Sequence, residues 1–171
     1  TDRFTIPDRI KLPLNFDVEK MKADVLSHDF PAFIYYSSIP LTYPVKKADL
    51  EDVVDFADGS WANWHDAQEL NECPYIKSIV EEFRSHCDVT LVRLLRLEPG
   101  AIIKEHTDPT LGLHIEKSVV RLTIPIISDE GVVFYLNNNP VPMQPGECWY
   151  LNLTNPHKIV NDSNAVRINM S

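Results

Sequence analysis

The chain has few cysteines and no long apolar segment. Only three cysteines, Cys73, Cys87 and Cys148, occur in 171 residues, with no C-x-x-C pair. This small number and wide spacing argue against a disulfide framework and predict a reducing compartment, the cytoplasm. The thiols are predicted to be buried, since a free cysteine behaves as a small hydrophobe. No apolar run approaches the roughly 20 residues that span a bilayer, and nothing at the N-terminus is typical of a signal peptide.

Basic residues are also scarce. The chain has 16 Lys and Arg against 25 Asp and Glu, a formal net charge of -9, and no basic run. This balance argues against nucleic acid or an anionic membrane as the partner and leaves a small molecule or a peptide. The length predicts a single domain, residues 1–171, which buries about two-thirds of its unfolded surface. Nothing in the sequence indicates an oligomeric state.

The N-terminal half predicts helices and irregular segments. Residues 9–14 alternate and predict an edge strand, where a proline is tolerated. Asn15 or Asp17 can cap a helix over residues 18–27, and Pro74 begins a second, amphipathic helix.

An acidic stretch between these helices contains Trp61, Trp64 and His65. Exposed tryptophan is unfavourable unless it packs or binds something. Two interpretations stay open: the tryptophans border a substrate pocket, with the 49–72 segment as its lid, or they pack against the core.

From Val89 onward the pattern changes to short strands. Alternating segments are separated by turns at residues 98–100 and 144–146 and by a Pro-rich turn after residues 131–136. Short strands with frequent turns predict a β-sandwich or barrel. The predicted fold is mainly β with flanking helices: a jelly-roll, cupin-like core over residues 89–171, covered by residues 1–88.

His106, Thr107 and Asp108 form an H-x-D motif that a distant His157 complements. In an extended segment, residues two apart point the same way, so His106 and Asp108 can reach one ion. Two imidazoles and one carboxylate form the facial triad of non-haem Fe(II) oxygenases, with positions left open on the metal.

Strand parity selects further candidates. In AVRINM, Arg167 and Asn169 lie opposite an apolar face, and in SVVRLTIPI, Arg121 and Thr123 lie opposite Val120, Leu122 and Ile124. A buried guanidinium requires an anionic partner, so Arg167 is a candidate anchor for an acidic cosubstrate, the alternative being a surface ion pair.

Arg93 and Arg96 have opposite parity on the preceding strand. At most one of them can therefore point inward, where it could bind a substrate carboxylate.

The segments PGAIIKEHTDPT, VVRLTIPI, GECWYLN and HKIVNDSNAVRI carry a family resemblance. Together they resemble the aspartyl/asparaginyl β-hydroxylase family, over roughly residues 91–170. The resemblance implies a double-stranded β-helix and an enzyme that uses Fe(II), 2-oxoglutarate and O2. It also implies catalytic metal ligands, which are His106, Asp108 and His157.

The same resemblance implies three cosubstrate contacts. Arg167 matches the basic residue that pairs with the C5 carboxylate of 2-oxoglutarate. Arg121 matches the arginine of an R-x-H segment near the other end of the cosubstrate, and Thr123 stands where that segment has histidine.

The resulting hypothesis is a dioxygenase that hydroxylates a C–H bond of an amino acid, an amino-acid derivative or a peptide side chain. Two alternatives remain: a cupin-like metal enzyme that does not use 2-oxoglutarate and has no need of Arg167, and a non-catalytic binding module of the same fold. His114 is either a substrate or second-shell group or a solvent-exposed loop residue.

Overall fold

The computed structural model describes residues 7–27, 36–47, 59–112 and 119–171. The helices are α1 (Val18–Leu26), α2 (Gln68–Asn71) and α3 (Pro74–Arg84). The strands are β1 (Arg9–Asn15), β2 (Tyr36–Pro40), β3 (Thr42–Lys46), β4 (Ala62–Asp66), β5 (Arg93–Leu97), β6 (Ile102–His106), β7 (Leu122–Ile127), β8 (Val132–Leu136), β9 (Asn139–Val141), β10 (Glu147–Leu151), β11 (His157–Asn161) and β12 (Arg167–Met170).

Two antiparallel sheets form the body of the fold. The six-stranded sheet has the order β1-β10-β7-β12-β5-β2, and the four-stranded sheet has the order β6-β11-β8-β9. Strands that are distant in sequence thus lie side by side, as in a jelly roll. The predicted fold class, mainly β with flanking helices, is confirmed. Strands β1 and β2, from the N-terminal half, form the two edges of the larger sheet.

The helices pack against one side of the fold. Asp17, one of the two caps predicted for α1, accepts a hydrogen bond from the Lys20 amide at 3.1 Å. Buried Asp24 then accepts from the Ile76 amide at 2.9 Å, which ties α1 to the first turn of α3. Met21 and Ile76 are fully buried in a cluster with Leu94 of β5.

The space between the two sheets holds a second apolar cluster, which includes Leu97, Leu151 and Leu136. Strand β12 separates the two environments, since Ile168 and Met170 join the helix-side cluster while Arg167 and Asn169 line a cavity on the other face. The predicted parity of this strand is confirmed. Among the described helices, none has the length and apolarity needed to cross a membrane.

One prediction about an individual residue is wrong. Cys87 is exposed, because it follows the end of α3, whereas Cys73 and Cys148 are buried as predicted. Val120 lies before β7, which begins at Leu122, and is 42% exposed. The predicted Pro-rich turn after β8 also contains a strand, β9, which returns along β8.

Candidate metal centre

Strand pairing brings the two histidines of the predicted triad together. His106 is the last residue of β6, and it lies directly opposite His157, the first residue of β11. Asp108 follows two residues after His106, and its amide donates to the Leu153 carbonyl at 2.8 Å. The spacing of the H-x-D motif thus places a carboxylate beside a cross-strand histidine pair.

The three side chains converge on a small volume. His157 Nε2 lies 3.1 Å from Asp108 Oδ2, and His106 Nε2 lies 3.6 Å from the same oxygen. One ligand atom from each residue lies within 4.8 Å of the other two. His157 is 4% exposed, whereas His106 and Asp108 are 43% and 35% exposed, so the cluster is open on one side.

Hydrogen bonds fix the tautomer of both imidazoles. Nδ1 of His106 lies 2.8 Å from the Lys104 carbonyl, and Nδ1 of His157 lies 2.9 Å from the Asn155 carbonyl. Because a carbonyl oxygen only accepts, Nδ1 carries the proton, and in a neutral ring Nε2 keeps its lone pair. Two lone pairs and a carboxylate then face one another, an arrangement that fits a bound cation.

Neighbouring side chains hold His157 in place. Phe134 of β8 stacks on its ring, with centroids 5.9 Å apart and an interplanar angle of 4°. The His106 ring lies 4.2 Å away on the opposite strand. A ring that is buried, stacked and hydrogen-bonded has little rotational freedom, so its Nε2 is preorganised.

The cluster opens into a cavity of about 380 Å³ between the two sheets. All six site residues predicted from the sequence line this cavity. On the side of the six-stranded sheet, the polar lining consists of Arg93, Arg121, Thr123, Arg167, Asn169 and Ser171.

Strand direction places these polar groups at two ends of the cavity. The carbonyl of Leu153, just after β10, accepts from Asp108, so the end of β10 lies beside the triad. Following the antiparallel registers across the sheet puts Arg121, Ser171 and Arg93 at this same end. Arg167, opposite Leu97, lies four residues back along β12, roughly 13 Å away.

Arg167 lies deep in the fold and is 3% exposed. Of the two arginines with opposite parity, Arg93 lines the cavity, whereas Arg96 forms an ion pair with Glu98 at 2.7 Å. Sequence reasoning placed Asn169 on the face of Arg167 but gave it no role, although its parity marks it as a cavity residue.

Trp61 and Trp64 do not line the metal-site cavity. Trp64 donates from Nε1 to the Gly59 carbonyl at 3.0 Å and contacts Trp61 edge to face. It lines a neighbouring cavity of about 1020 Å³, which shares Arg121 and Ser171 with the metal-site cavity. His65 stacks on Tyr43, away from the triad. His114 and residues 49–58 of the predicted lid lie outside the described residues.

Solved structures share this architecture. An oxidoreductase of the 2OG-Fe(II) oxygenase family from Burkholderia pseudomallei superposes with a TM-score of 0.63 at 12% identity, covering 95% of this chain and 82% of that one. The non-haem α-ketoglutarate-dependent carbocyclase SnoK from nogalamycin biosynthesis gives 0.55 at 14% identity, covering 95% and 78%. A viral collagen prolyl hydroxylase from Paramecium bursaria Chlorella virus-1 gives 0.53 at 10% identity, covering 96% and 93%. The chain therefore has the jelly-roll fold of the 2OG-Fe(II) oxygenases.

Sequence comparison specifies the family within this class. The model of the aspartyl/asparaginyl β-hydroxylase family matches residues 56–171. The chain belongs to the aspartyl/asparaginyl β-hydroxylase family, and the prediction of a hydroxylating dioxygenase is confirmed. No curated protein sequence matches the chain significantly.

Proposed function

We propose that the protein is an Fe(II)- and 2-oxoglutarate-dependent dioxygenase in which His106, Asp108 and His157 bind the iron. It hydroxylates a C–H bond of an amino acid, an amino-acid derivative or a peptide side chain. The observation that carries this proposal is the convergence of two Nε2 lone pairs and a carboxylate at the open edge of a buried cavity.

The donor set fits Fe(II) with open coordination positions. Two neutral imidazoles and one carboxylate on one side of a metal are typical of non-haem Fe(II) oxygenases. A catalytic zinc site can also use two histidines and a carboxylate, so the ligands alone do not specify the metal. Family membership and the arginines of the cavity favour iron with an anionic cosubstrate.

Fe(II) held by these ligands would let O2 oxidise 2-oxoglutarate to succinate and carbon dioxide, with one oxygen atom entering succinate and the other hydroxylating the substrate. The protein supplies binding, orientation and a site with little water. Arg167 holds the C5 carboxylate through its planar guanidinium, and its burial strengthens that pairing. Arg121 and Thr123 contact the cosubstrate at the end of the cavity nearer the triad.

The remaining features are proposed from the sequence. We place the protein in the cytoplasm as a single oxygenase domain over residues 1–171, acting on a small-molecule or peptide substrate. Its three cysteines are free, as a reducing compartment requires.

The test is turnover of 2-oxoglutarate in air. Protein loaded with Fe(II) forms succinate from 2-oxoglutarate, and succinate formation stops when oxygen is removed. A metal enzyme that uses its substrate as the sole reductant forms no succinate, and neither does a binding module. Absence of succinate across a panel of amino acids and peptides therefore refutes the proposal.

A further inference from the structure

The cavity has more cationic groups than the proposed cosubstrate requires. Its described lining includes three guanidinium groups, from Arg93, Arg121 and Arg167, and one carboxylate, Asp108, which belongs to the metal centre. In the proposed function, Arg167 and Arg121 serve the cosubstrate. Arg93 is therefore the additional cation, and a guanidinium with a buried Nε that faces the cavity favours an anionic ligand.

Arg93 has no anionic partner of its own among the described residues. Its buried Nε atom has no hydrogen-bond partner within the described part of the chain. Its backbone is fixed, because the amide donates to the Ser171 carbonyl at 2.9 Å and the Ser171 amide donates to the Arg93 carbonyl at 3.0 Å. The side chain thus starts from a rigid strand and ends in a cavity.

Asn169 presents an unused acceptor in the same place. The residue is 2% exposed, and its side-chain oxygen has no hydrogen-bond partner among the described residues. Leaving a buried carbonyl unpaired is unfavourable, so a ligand that supplies an N–H group to it is bound more tightly.

The two groups are close enough to act together. Asn169 pairs with Leu95 and Ser171 with Arg93, so Asn169 and Arg93 are diagonal neighbours on adjacent strands. Such positions are about 7–8 Å apart, within reach of a long side chain. A carboxylate and an N–H group on adjacent atoms of one molecule can span the remaining gap.

We propose that Arg93 and Asn169 form the substrate subsite and select an α-amino acid with a free carboxylate. Arg93 binds the carboxylate, and the Asn169 side-chain oxygen accepts a hydrogen bond from the amino group. Arg93 lies at the triad end of the cavity, roughly 13 Å along the strands from Arg167, and Asn169 lies between them, so the substrate carboxylate and the C5 carboxylate of the cosubstrate bind at different positions. This assignment rests on the proposed function.

The test compares each free amino acid with its C-terminal amide in the Fe(II)-loaded enzyme. The readout is stimulation of succinate formation from 2-oxoglutarate. At least one free amino acid stimulates, and its amide is weaker by about tenfold or more, because the amide carries no charge for Arg93. Arg93→Gln lowers kcat/KM for that amino acid by about 30-fold or more, while the KM for 2-oxoglutarate stays within about twofold.

Matched variants separate binding from folding. Arg96→Gln, on the opposite face of the same strand, leaves kcat/KM for the amino acid and the KM for 2-oxoglutarate unchanged. Asn169→Leu, which keeps the branched side-chain skeleton but removes the acceptor, raises the KM for the amino acid without changing that for 2-oxoglutarate. Circular dichroism checks that each variant folds, and the acid–amide comparison needs no variant.

Three results overturn the subsite while leaving the proposed function in place. They are equal stimulation by acid and amide, unchanged kinetics in a folded Arg93→Gln protein, and no stimulation by any free amino acid in an enzyme that binds 2-oxoglutarate. A wild-type protein that does not bind 2-oxoglutarate overturns the proposed function and the subsite with it.

Discussion

His157 Nε2 lies 3.1 Å from Asp108 Oδ2, although Asp108 follows β6 and His157 begins β11. The contact results from the pairing of β6 with β11, which places His106 opposite His157. Because both Nδ1 atoms are engaged by backbone carbonyls, both Nε2 atoms face the carboxylate. The metal centre is therefore a consequence of strand register and backbone hydrogen bonding as well as of residue identity.

Removing the buried guanidinium tests the role of Arg167. Arg167→Ala should raise the KM for 2-oxoglutarate by about 30-fold or more, since truncating one partner of a buried charge pair costs about 2–5 kcal/mol. Arg167→Lys should retain part of the affinity, because it keeps the charge but loses the bidentate fork. Steady-state kinetics on folded variants provide the measurement. If the activity of the enzyme were unchanged by both substitutions, this would favour a metal enzyme that does not use 2-oxoglutarate.

Asp66 should make stability depend on pH. Arg84 donates a hydrogen bond to its carboxylate at 2.6 Å, which lowers the pKa of Asp66 below its ordinary 3.8. A lowered folded-state pKa contributes stability above pH 3.8, and that stability is lost as the pH falls through the folded value.

Asp66→Asn should therefore reduce the free energy of unfolding by about 1 kcal/mol at pH 7 and by much less at pH 3. Urea unfolding at both pH values measures the difference. Glu19→Gln is the control, because Glu19 is 84% exposed and its ion pair should contribute little. A loss of equal size at both pH values would contradict this assignment.

Thiol reactivity should distinguish the three cysteines. Burial raises the pKa of the Cys73 and Cys148 thiols to about 12, whereas Cys87 is exposed. Because the thiolate is the reactive species, Ellman's reagent at pH 8 should label Cys87 rapidly and the others only on unfolding. Cys87→Ser should remove the fast phase. A fast phase that persists in Cys87→Ser would show that a buried thiol is accessible.

Gly131 should tolerate no side chain. A Cβ atom there would lie 2.3 Å from the Asp162 carbonyl oxygen, which is backbone and cannot rotate away. Gly131→Ala should reduce stability by about 1–3 kcal/mol, as overpacking does. Gly100→Ala is the comparison: it has φ +79° but no atom within 4 Å, so only backbone strain of about 1–2 kcal/mol applies. Thermal unfolding of both variants measures the costs, and an unchanged Tm for Gly131→Ala would refute the close approach.

The local parts of the site could be predicted from the sequence. The H-x-D spacing and the period-two alternation of β12 act over a few residues, so they predicted which side chains share a face. The facial-triad pattern added the distant His157, and the resemblance supplied the pairing of Arg167 with the C5 carboxylate of 2-oxoglutarate. The alternating pattern of SVVRLTIPI did not show where the strand begins, since β7 starts at Leu122.

Turns and long-range strand pairings were harder to predict from the sequence. The β8–β9 hairpin turns at Asn137 and Asn138, which have φ of 53° and 62°, a conformation that asparagine tolerates better than most residues. The Asn137-Asn138 dipeptide could therefore have been used to predict this hairpin turn. The order of strands in the larger sheet, which places Arg93 beside Asn169, depends on pairings between distant segments that no local pattern specifies.

Anaerobic titration with Fe(II) and then 2-oxoglutarate tests most directly whether the triad is the metal centre. The wild-type protein should bind one Fe(II) per chain, and 2-oxoglutarate should then produce the weak visible charge-transfer band of the chelate. His106→Ala and Asp108→Ala should abolish the band while retaining the far-UV circular dichroism of the fold. His86→Ala, an exposed histidine just beyond α3, should keep it. No band in the wild type, or an undiminished band in both triad variants, would contradict the assignment.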